Sequence, residues 1–465
     1  MISRRAALAA LAALPGLPAA AQQPRPRAQA TIDQALAEAG LPPDRLGLFV
    51  VDLATNSIVA SALPDRAIIP ASTLKLPASV AALHVLGPEW RPVTRLLREG
   101  TTLTLVGGAD PLLSTDHLIE LASAAVAAGV RRASAFRYHP GLVPELPAID
   151  TSQPLAATYN PGVSGLSVNF NRVQLTWRRQ NGAFSFEATA VAERTRLPLD
   201  GVTLAVGGAG EGFGYRAGAD GDAWTIGTAR AERGQIFLPV RQPARATARL
   251  FRRAAATVGL ELPPPEPGAI VGQDLARFEG QALIVIVPQI LRWSNNLAAE
   301  LIGLAAAPGT TSIAAATDRH SAWIRSVAPG IDWSGFRMAS HSGLGAAGRA
   351  SPRHLAAAAL LAQAEGWAAL LPAYRPRDGG PAVEGVFAKS GTMAYAKSQA
   401  GLIVTADGRW LAFGLALTDV ARRATYDGAL GASDRGLPAD ASAWLGRAQI
   451  AEAKIIEALV AGRVG

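Results

Sequence analysis

Residues 70–75 read Pro70-Ala71-Ser72-Thr73-Leu74-Lys75. Ser72 and Lys75 stand three positions apart, which on a helix places both side chains on one face. A serine hydroxyl is a weak nucleophile until a nearby base takes its proton. A lysine one turn away can be that base if burial or a second cation keeps its amine neutral. Ser-x-x-Lys also arises by chance in long chains, as a helix start followed by a surface lysine. The pair gains meaning only from what the rest of the chain supplies.

Working outward, Leu46 to Leu53 and Ile58 to Ser61 are apolar β-branched runs around the turn Ala54-Thr55-Asn56-Ser57, which predicts a hairpin. An Ala-rich helix is expected from Leu74 to about Leu86, with Pro77 tolerable only near its start. From about Arg91 the texture changes. A strand at 103–106 leads into the tight loop Gly107 to Pro111, and a helix is expected over 116–128. Short strand-like pieces follow, among them 168–177, 184–191 and 202–206, then a helix over 245–258. Leu262 to Gly268, with four prolines, reads as a linker. Beyond it a buried strand is expected at Ala282–Val287 and one long helix at Ile290–Ala306. Ser351 reads as the N-cap of a helix over 352–363. Strands are expected from Gly385, over 400–404 and over 410–417, the last two joined at Ala406-Asp407-Gly408. An amphipathic helix over 444–460 closes the chain. The two ends thus supply one α/β unit and the middle reads as a β-rich insertion.

The chain has 465 residues, 49% of them apolar, enough for two or three domains. It has no cysteine, which excludes disulfides, thiolate metal sites and a cysteine nucleophile. The six histidines show no metal-ligand spacing, and neither a metal nor another cofactor is expected. Net charge is +8, with Lys and Arg dispersed, which argues against a nucleic-acid stripe. A solvated basic surface explains it, with attraction to an anionic cell wall as an alternative. Met1 to Arg5 is basic, Ala6 to Leu17 is apolar but too short to span a bilayer, and Ala19-Ala20-Ala21 suits cleavage, so residues 1–21 read as a signal peptide. Ser3-Arg4-Arg5 resembles a twin-arginine signal, although Ala6-Ala7-Leu8 lacks the bulky pattern, so the export route stays open. Residues 22–30 read as a flexible lead-in, and no later run is apolar enough for an integral membrane segment. The expected location is the periplasm.

Two further motifs complete the first. Ser294-Asn295-Asn296 opens a helix, and Lys389-Ser390-Gly391-Thr392 lies at a strand end. Alone, each reads as a cap, a solvated amide or a surface lysine. In the order S-x-x-K, S-x-N, K-[ST]-G they form the pattern of penicillin-interacting serine enzymes. The wider sequence resembles the D-alanyl-D-alanine carboxypeptidase/endopeptidase family, the class C low-molecular-mass penicillin-binding proteins. Leu105 to Pro111 is similar to its "LVGGGDP" loop, Ser164 to Asn169 to "SALSVN", Arg292 to Leu301 (RWSNNLAAEL) to "KVSNNLYAEL", and Ala388 to Gly401 to "AKTGTLTGVSALAG". The long separation of Lys75 from Ser294 fits this branch. Departures are Ser340 to Gly345 (SHSGLG) in place of "DGSGLS", without its acid, and Arg377-Asp378-Gly379-Gly380 near the place of "DGTL". No G-x-S-x-G elbow occurs, and His341 beside Ser342 reads as a loop residue rather than half of a catalytic dyad.

The resemblance implies an α/β multidomain protein. A transpeptidase-like domain, an antiparallel sheet with flanking helices, would occupy 22–92 and 268–465, interrupted by a β-rich insertion over 93–267. It implies Ser72 as nucleophile, Lys75 as base kept neutral by Lys389, and Ser294 as proton relay. Asn296 would hold Lys75 and the acyl-side amide, and Lys389, Ser390, Gly391 and Thr392 would bind the terminal carboxylate. The Ser72 and Thr392 N–H groups would form the oxyanion hole. The implied partners are peptidoglycan stem peptides ending in D-Ala-D-Ala and β-lactam antibiotics. The alternatives are a β-lactamase-like hydrolase, for which no Glu-x-x-Leu-Asn segment is found, and a non-catalytic penicillin- or peptidoglycan-binding protein. Oligomeric state is not legible.

Overall fold

The computed structural model describes residues 26–141, 143–376, 379–429 and 437–464. The signal peptide expected at 1–21, and Arg377 and Asp378, lie outside them. Among the described residues no helix is long and apolar enough to cross a membrane. The lead-in is helical from its fifth residue, since helix α1 spans Pro26–Glu38 and buries Ile32 and Leu36.

The two ends of the chain meet in one five-stranded antiparallel sheet. Its strands are β1 (Leu46–Asp52), β2 (Ile58–Ala62), β3 (Val386–Met393), β4 (Ala396–Val404) and β5 (Trp410–Thr418), in the order β3-β4-β5-β1-β2. Strand β1 is buried along its whole length because both faces of the sheet are covered. Phe49 and Val51 face one apolar core, with helices α2 (Lys75–Leu86), α3 (Leu283–Trp293) and α4 (Asn296–Ala305). Leu48 and Val50 face the other, with α1 and the C-terminal helix, whose range is Ala439–Val460. The period of two puts alternate residues on opposite faces.

The middle of the chain builds three other sheets. The first orders Pro265–Pro267, Ala135–His139, Thr102–Val106, Val93–Glu99 and Gln273–Glu279. The second orders Arg233–Pro239, Arg172–Gln180, Ala183–Val191 and Arg196–Pro198, and the third Phe213–Gly218, Gly221–Ile226 and Val202–Val206. A small apolar cluster joins this region to the helices, with Ala109, Val143 and Val163 against Leu297, Leu301 and Ile313.

Four expectations need correction. Ala282–Val287 is no strand but the start of α3. Leu283, Ile286, Val287, Ile290 and Leu291 are its buried residues, a helical stripe that a short apolar run does not reveal. The long helix over 290–306 is two helices, broken where Ser294 takes a left-handed backbone at φ +54°. The strand placed at 168–177 begins only at Arg172, because Asn169, Phe170 and Asn171 are all left-handed. The proline-rich linker carries a short parallel strand, Pro265–Pro267, and its sheet takes in Gln273–Glu279, past residue 267.

Candidate active site

The turn that carries Ser72 is organised around a proline carbonyl. Ala71–Leu74 is a 3₁₀ turn that runs into α2, and Ala71 sits at φ +50°, uncommon for a residue with a Cβ. The Pro70 carbonyl accepts from Thr73 Oγ1 and from Ser398 Oγ, each at 2.7 Å. Two glycines let the turn seat closely. A Cβ at Gly391 would lie 2.5 Å from the Pro70 carbonyl oxygen, and one at Gly343 would overlap that of Ala71. Pro77 is the third residue of α2, where the missing N–H leaves no intrahelical bond unmade.

Lys75 is fully buried, and its Nζ has three polar neighbours. Ser72 Oγ is 2.9 Å away, and Asn296 Oδ1 and the Ser342 carbonyl are each at 2.7 Å. A neutral amine has two N–H bonds and one lone pair. Asn296 and Ser342 can only accept, so they take both N–H bonds and the lone pair is left for the Ser72 hydroxyl. Burial above all, and then the Lys389 charge, hold the Lys75 pKa well below its ordinary value, while Glu300 opposes them. Lys389 thus acts in the expected direction, and burial is the larger cause.

Asn296 is the first residue of α4, whose N-cap is Asn295, its Oδ1 accepting from Ala298 N at 2.9 Å. Asn296 Nδ2 donates to the Tyr159 carbonyl at 2.9 Å. Ser294, at the break before α4, makes no side-chain hydrogen bond among the described residues. It faces a recess of about 390 Å³ with Trp293 and Tyr159, beside the main cleft. That cleft, about 810 Å³, is lined by Ser72, Asn296, Gly343 and Thr392.

Strand β3 is the edge strand of its sheet. Ala388 N–H points away from β4 and donates to the Pro372 carbonyl at 2.9 Å. Strand alternation turns the Thr392 N–H the same way, outward toward the cleft. Lys389 is buried, and its Nζ donates to the Ser390 carbonyl at 2.8 Å. Burial first, and Lys397 second, bring its pKa down to about 7. The Ser390 side chain is exposed and makes no hydrogen bond among the described residues.

The geometry thus joins Ser72, Lys75 and Asn296 by direct bonds, sets Thr392 in the same cleft, and leaves Ser294 and Ser390 uncoupled from them. The model of the D-Ala-D-Ala carboxypeptidase 3 (S13) family matches residues 28–429. The chain belongs to that family. It is 35% identical over 108 residues to the D-alanyl-D-alanine carboxypeptidase of Actinomadura sp. (strain R39), a match that spans 22% of this chain and only 20% of that relative. Its fold is shared with penicillin binding protein 4 from Haemophilus influenzae, at TM-score 0.70 and 16% identity, over 91% of this chain and 99% of that one. The same Haemophilus protein complexed with a novel β-lactam aligns at TM-score 0.67 and 16% identity, over 88% and 96% of the two chains.

In this S13 chain the sequence reading missed four site groups. The Ser342 carbonyl holds Lys75, and the Tyr159 carbonyl holds Asn296. Glu300 and His341 form a fully buried pair behind Ser342, with His341 Nδ1 2.8 Å from Glu300 Oε2. Glu300 follows Asn296 by four residues on α4, so the helical repeat placing both on one face was the available signal.

Proposed function

We propose that this S13 protein is a serine D-alanyl-D-alanine carboxypeptidase/endopeptidase that cleaves peptidoglycan stem peptides or cross-links through a Ser72 acyl-enzyme and is acylated by penicillins. The Lys75 amine carries the reading, since its two N–H bonds are taken and its lone pair faces Ser72 Oγ. Lys75 takes the Ser72 proton as Oγ attacks the penultimate D-Ala carbonyl. The oxyanion develops toward the Ser72 and Thr392 N–H groups, each such donor worth about 3 kcal/mol in the transition state. Collapse breaks the peptide bond, and the leaving amine takes its proton from Lys75, with Ser294 as relay once its side chain turns from the adjoining recess toward Lys75. Water then releases the acyl group and regenerates Ser72. Lys389, with the Ser390 and Thr392 hydroxyls on the open strand edge, receives the terminal carboxylate, and Asn296 the acyl-side amide.

Membership of the S13 family supports this reading, and residues 1–21 support export to the periplasm through a cleaved signal peptide. The two-part catalytic unit and its insertion belong to the same proposal. Its second boundary is better set after Glu279 than at 267, because Gln273–Glu279 pairs with Val93–Glu99.

The test is acylation. Fluorescent penicillin should label the protein stably, and Lys75→Ala should slow labelling by about 10²–10⁴-fold with the fold intact. Normal labelling of that variant would refute Lys75 as the base. Rapid nitrocefin turnover would instead indicate a β-lactamase, and failure to release D-Ala from a pentapeptide a binding protein. With intact sacculi, loss of dimer muropeptides reads endopeptidase and shortened stems alone read carboxypeptidase.

A further inference from the structure

The chemistry above gives no task to Glu300, a buried carboxylate beside the site. Glu300 is fully buried on α4, and three N–H donors from two consecutive residues converge on it. Oε2 accepts from His341 N at 3.2 Å and pairs with His341 Nδ1 at 2.8 Å, and Oε1 accepts from Ser342 N at 2.8 Å. Ser342 is also the residue whose carbonyl takes a proton of Lys75 Nζ at 2.7 Å. The carboxylate and the amine therefore grip opposite sides of one residue.

The His341 ring is fixed as tightly. A Cβ at Gly303 would overlap it, so α4 carries its glycine where the ring packs. The His320 ring from Ile313–Val327 meets it edge-on, with centroids 5.1 Å apart. The charged and titratable groups that act here are these: His341 bonds Glu300, the His320 ring packs on His341 with Arg319 nearby, Glu300 and Lys389 of β3 act on Lys75, and Lys397 of β4 acts on Lys389. Burial, then His341, bring His320 down to about 3, so it stays neutral. For Glu300 burial is the largest single effect and pushes upward, but the His341 and Ser342 bonds outweigh it and the net shift is downward, toward the anion.

We propose that Glu300 is a positioning residue for acylation: clamped by His341, it holds the Ser342 carbonyl on Lys75 Nζ and supplies the buried negative charge against which Lys75 works as a base. The inference rests on the acyl-transfer reading of Ser72 and Lys75. The sign follows from Coulomb's law. An anion favours the ammonium, so Glu300 opposes burial and Lys389, and without it the Lys75 amine persists to lower pH.

The experiment is the rate of acylation by fluorescent penicillin as a function of pH, with thermal melts in parallel. Glu300→Gln should move the acid limb to lower pH by about one unit. Its maximal rate should fall at least roughly tenfold, because an amide offers one oxygen where a carboxylate offered two. Glu300→Asp keeps the charge but withdraws it from residues 341 and 342, so its rate should fall while the limb stays. An acid limb in Glu300→Gln that coincides with wild type, with only the amplitude reduced, would mark a merely structural role and overturn the proposal. Should Glu300→Gln fail to fold, Glu300→Asp decides: an undiminished maximal rate overturns it. A wild-type protein that penicillin does not label would sink the acyl-transfer reading itself. A labelled wild type with an unmoved variant limb sinks this inference alone.

Discussion

Lys389 is asked to be a cation in a place that discourages one. It is buried, with Lys397 nearby, and titrates at about 7 in the free protein. The bare site therefore holds the ammonium below that pH and loses it above. A substrate carboxylate docking on Lys389 gains its counter-charge only where the ammonium exists. We expect kcat/KM for a D-Ala-D-Ala peptide to fall as pH rises through about 7, approaching about tenfold per pH unit. A stem peptide amidated at its C-terminus should lack this alkaline limb, and parallel pH profiles of the two substrates check it. At this scale the three motifs were legible because each carries its chemistry in residue type and spacing. Glu300 was not, since a carboxylate in a helix reads as solvated until its burial is known. Nor was the Ser342 carbonyl, because a backbone group leaves no mark in the sequence.

Between elements, the site depends on how closely strand β3 lies on the Ser72 turn. Gly391 permits that contact. A methyl group there would press on the Pro70 carbonyl and on Ser398, whose hydroxyl binds the same carbonyl. Gly391→Ala should destabilise the protein by about 1–3 kcal/mol. By prying Thr392 from Ser72 it should slow acylation by about a hundredfold. Urea unfolding and stopped-flow labelling measure the two separately, and a fully active variant would show that the approach is not needed. The strands of the central sheet were readable from their apolar β-branched runs and turns, as at Gly408, left-handed at φ +83° in the loop between β4 and β5. Helix α3 was not, because six apolar residues in a row hide their period until the buried stripe is seen to continue through Ile290 and Leu291. The break at Ser294 was hidden too, since serine and asparagine carry no glycine-like signal for a left-handed backbone.

Across the molecule, the middle of the chain reaches into the cleft through residues 147–160. Arg241 anchors this strap: its guanidinium donates to the carbonyls of Pro147 at 3.0 Å, Asn160 at 2.9 Å and Leu155 at 2.5 Å. The strap then supplies Gln153, Ala157 and Tyr159 to the cleft wall. Arg241→Met should cost about 3 kcal/mol of stability through unpaired carbonyls. It should raise KM for stem peptides several-fold and leave penicillin labelling nearly unchanged, because the β-lactam is too small to need the wall. Equal loss for both ligands would place the strap's role at the nucleophile instead. Motif order and the distance between Lys75 and Ser294 showed that a long segment separates the first two motifs. The strap was not legible, as an irregular segment without periodicity offers nothing to read before its tertiary contacts exist.

The central sheet has a consequence in time as well as in space. Strand β1 leads to the Ser72 turn, yet its neighbour β5, and the edge β3 that lines the cleft, come from the far end of the chain. The whole middle of the chain is synthesised in between. Closing such distant pairings is a slow, late event in folding. On the function proposed above, a growing chain carries Ser72 long before Ser72 could react, and the onset of penicillin labelling would be a clock for the last step of assembly.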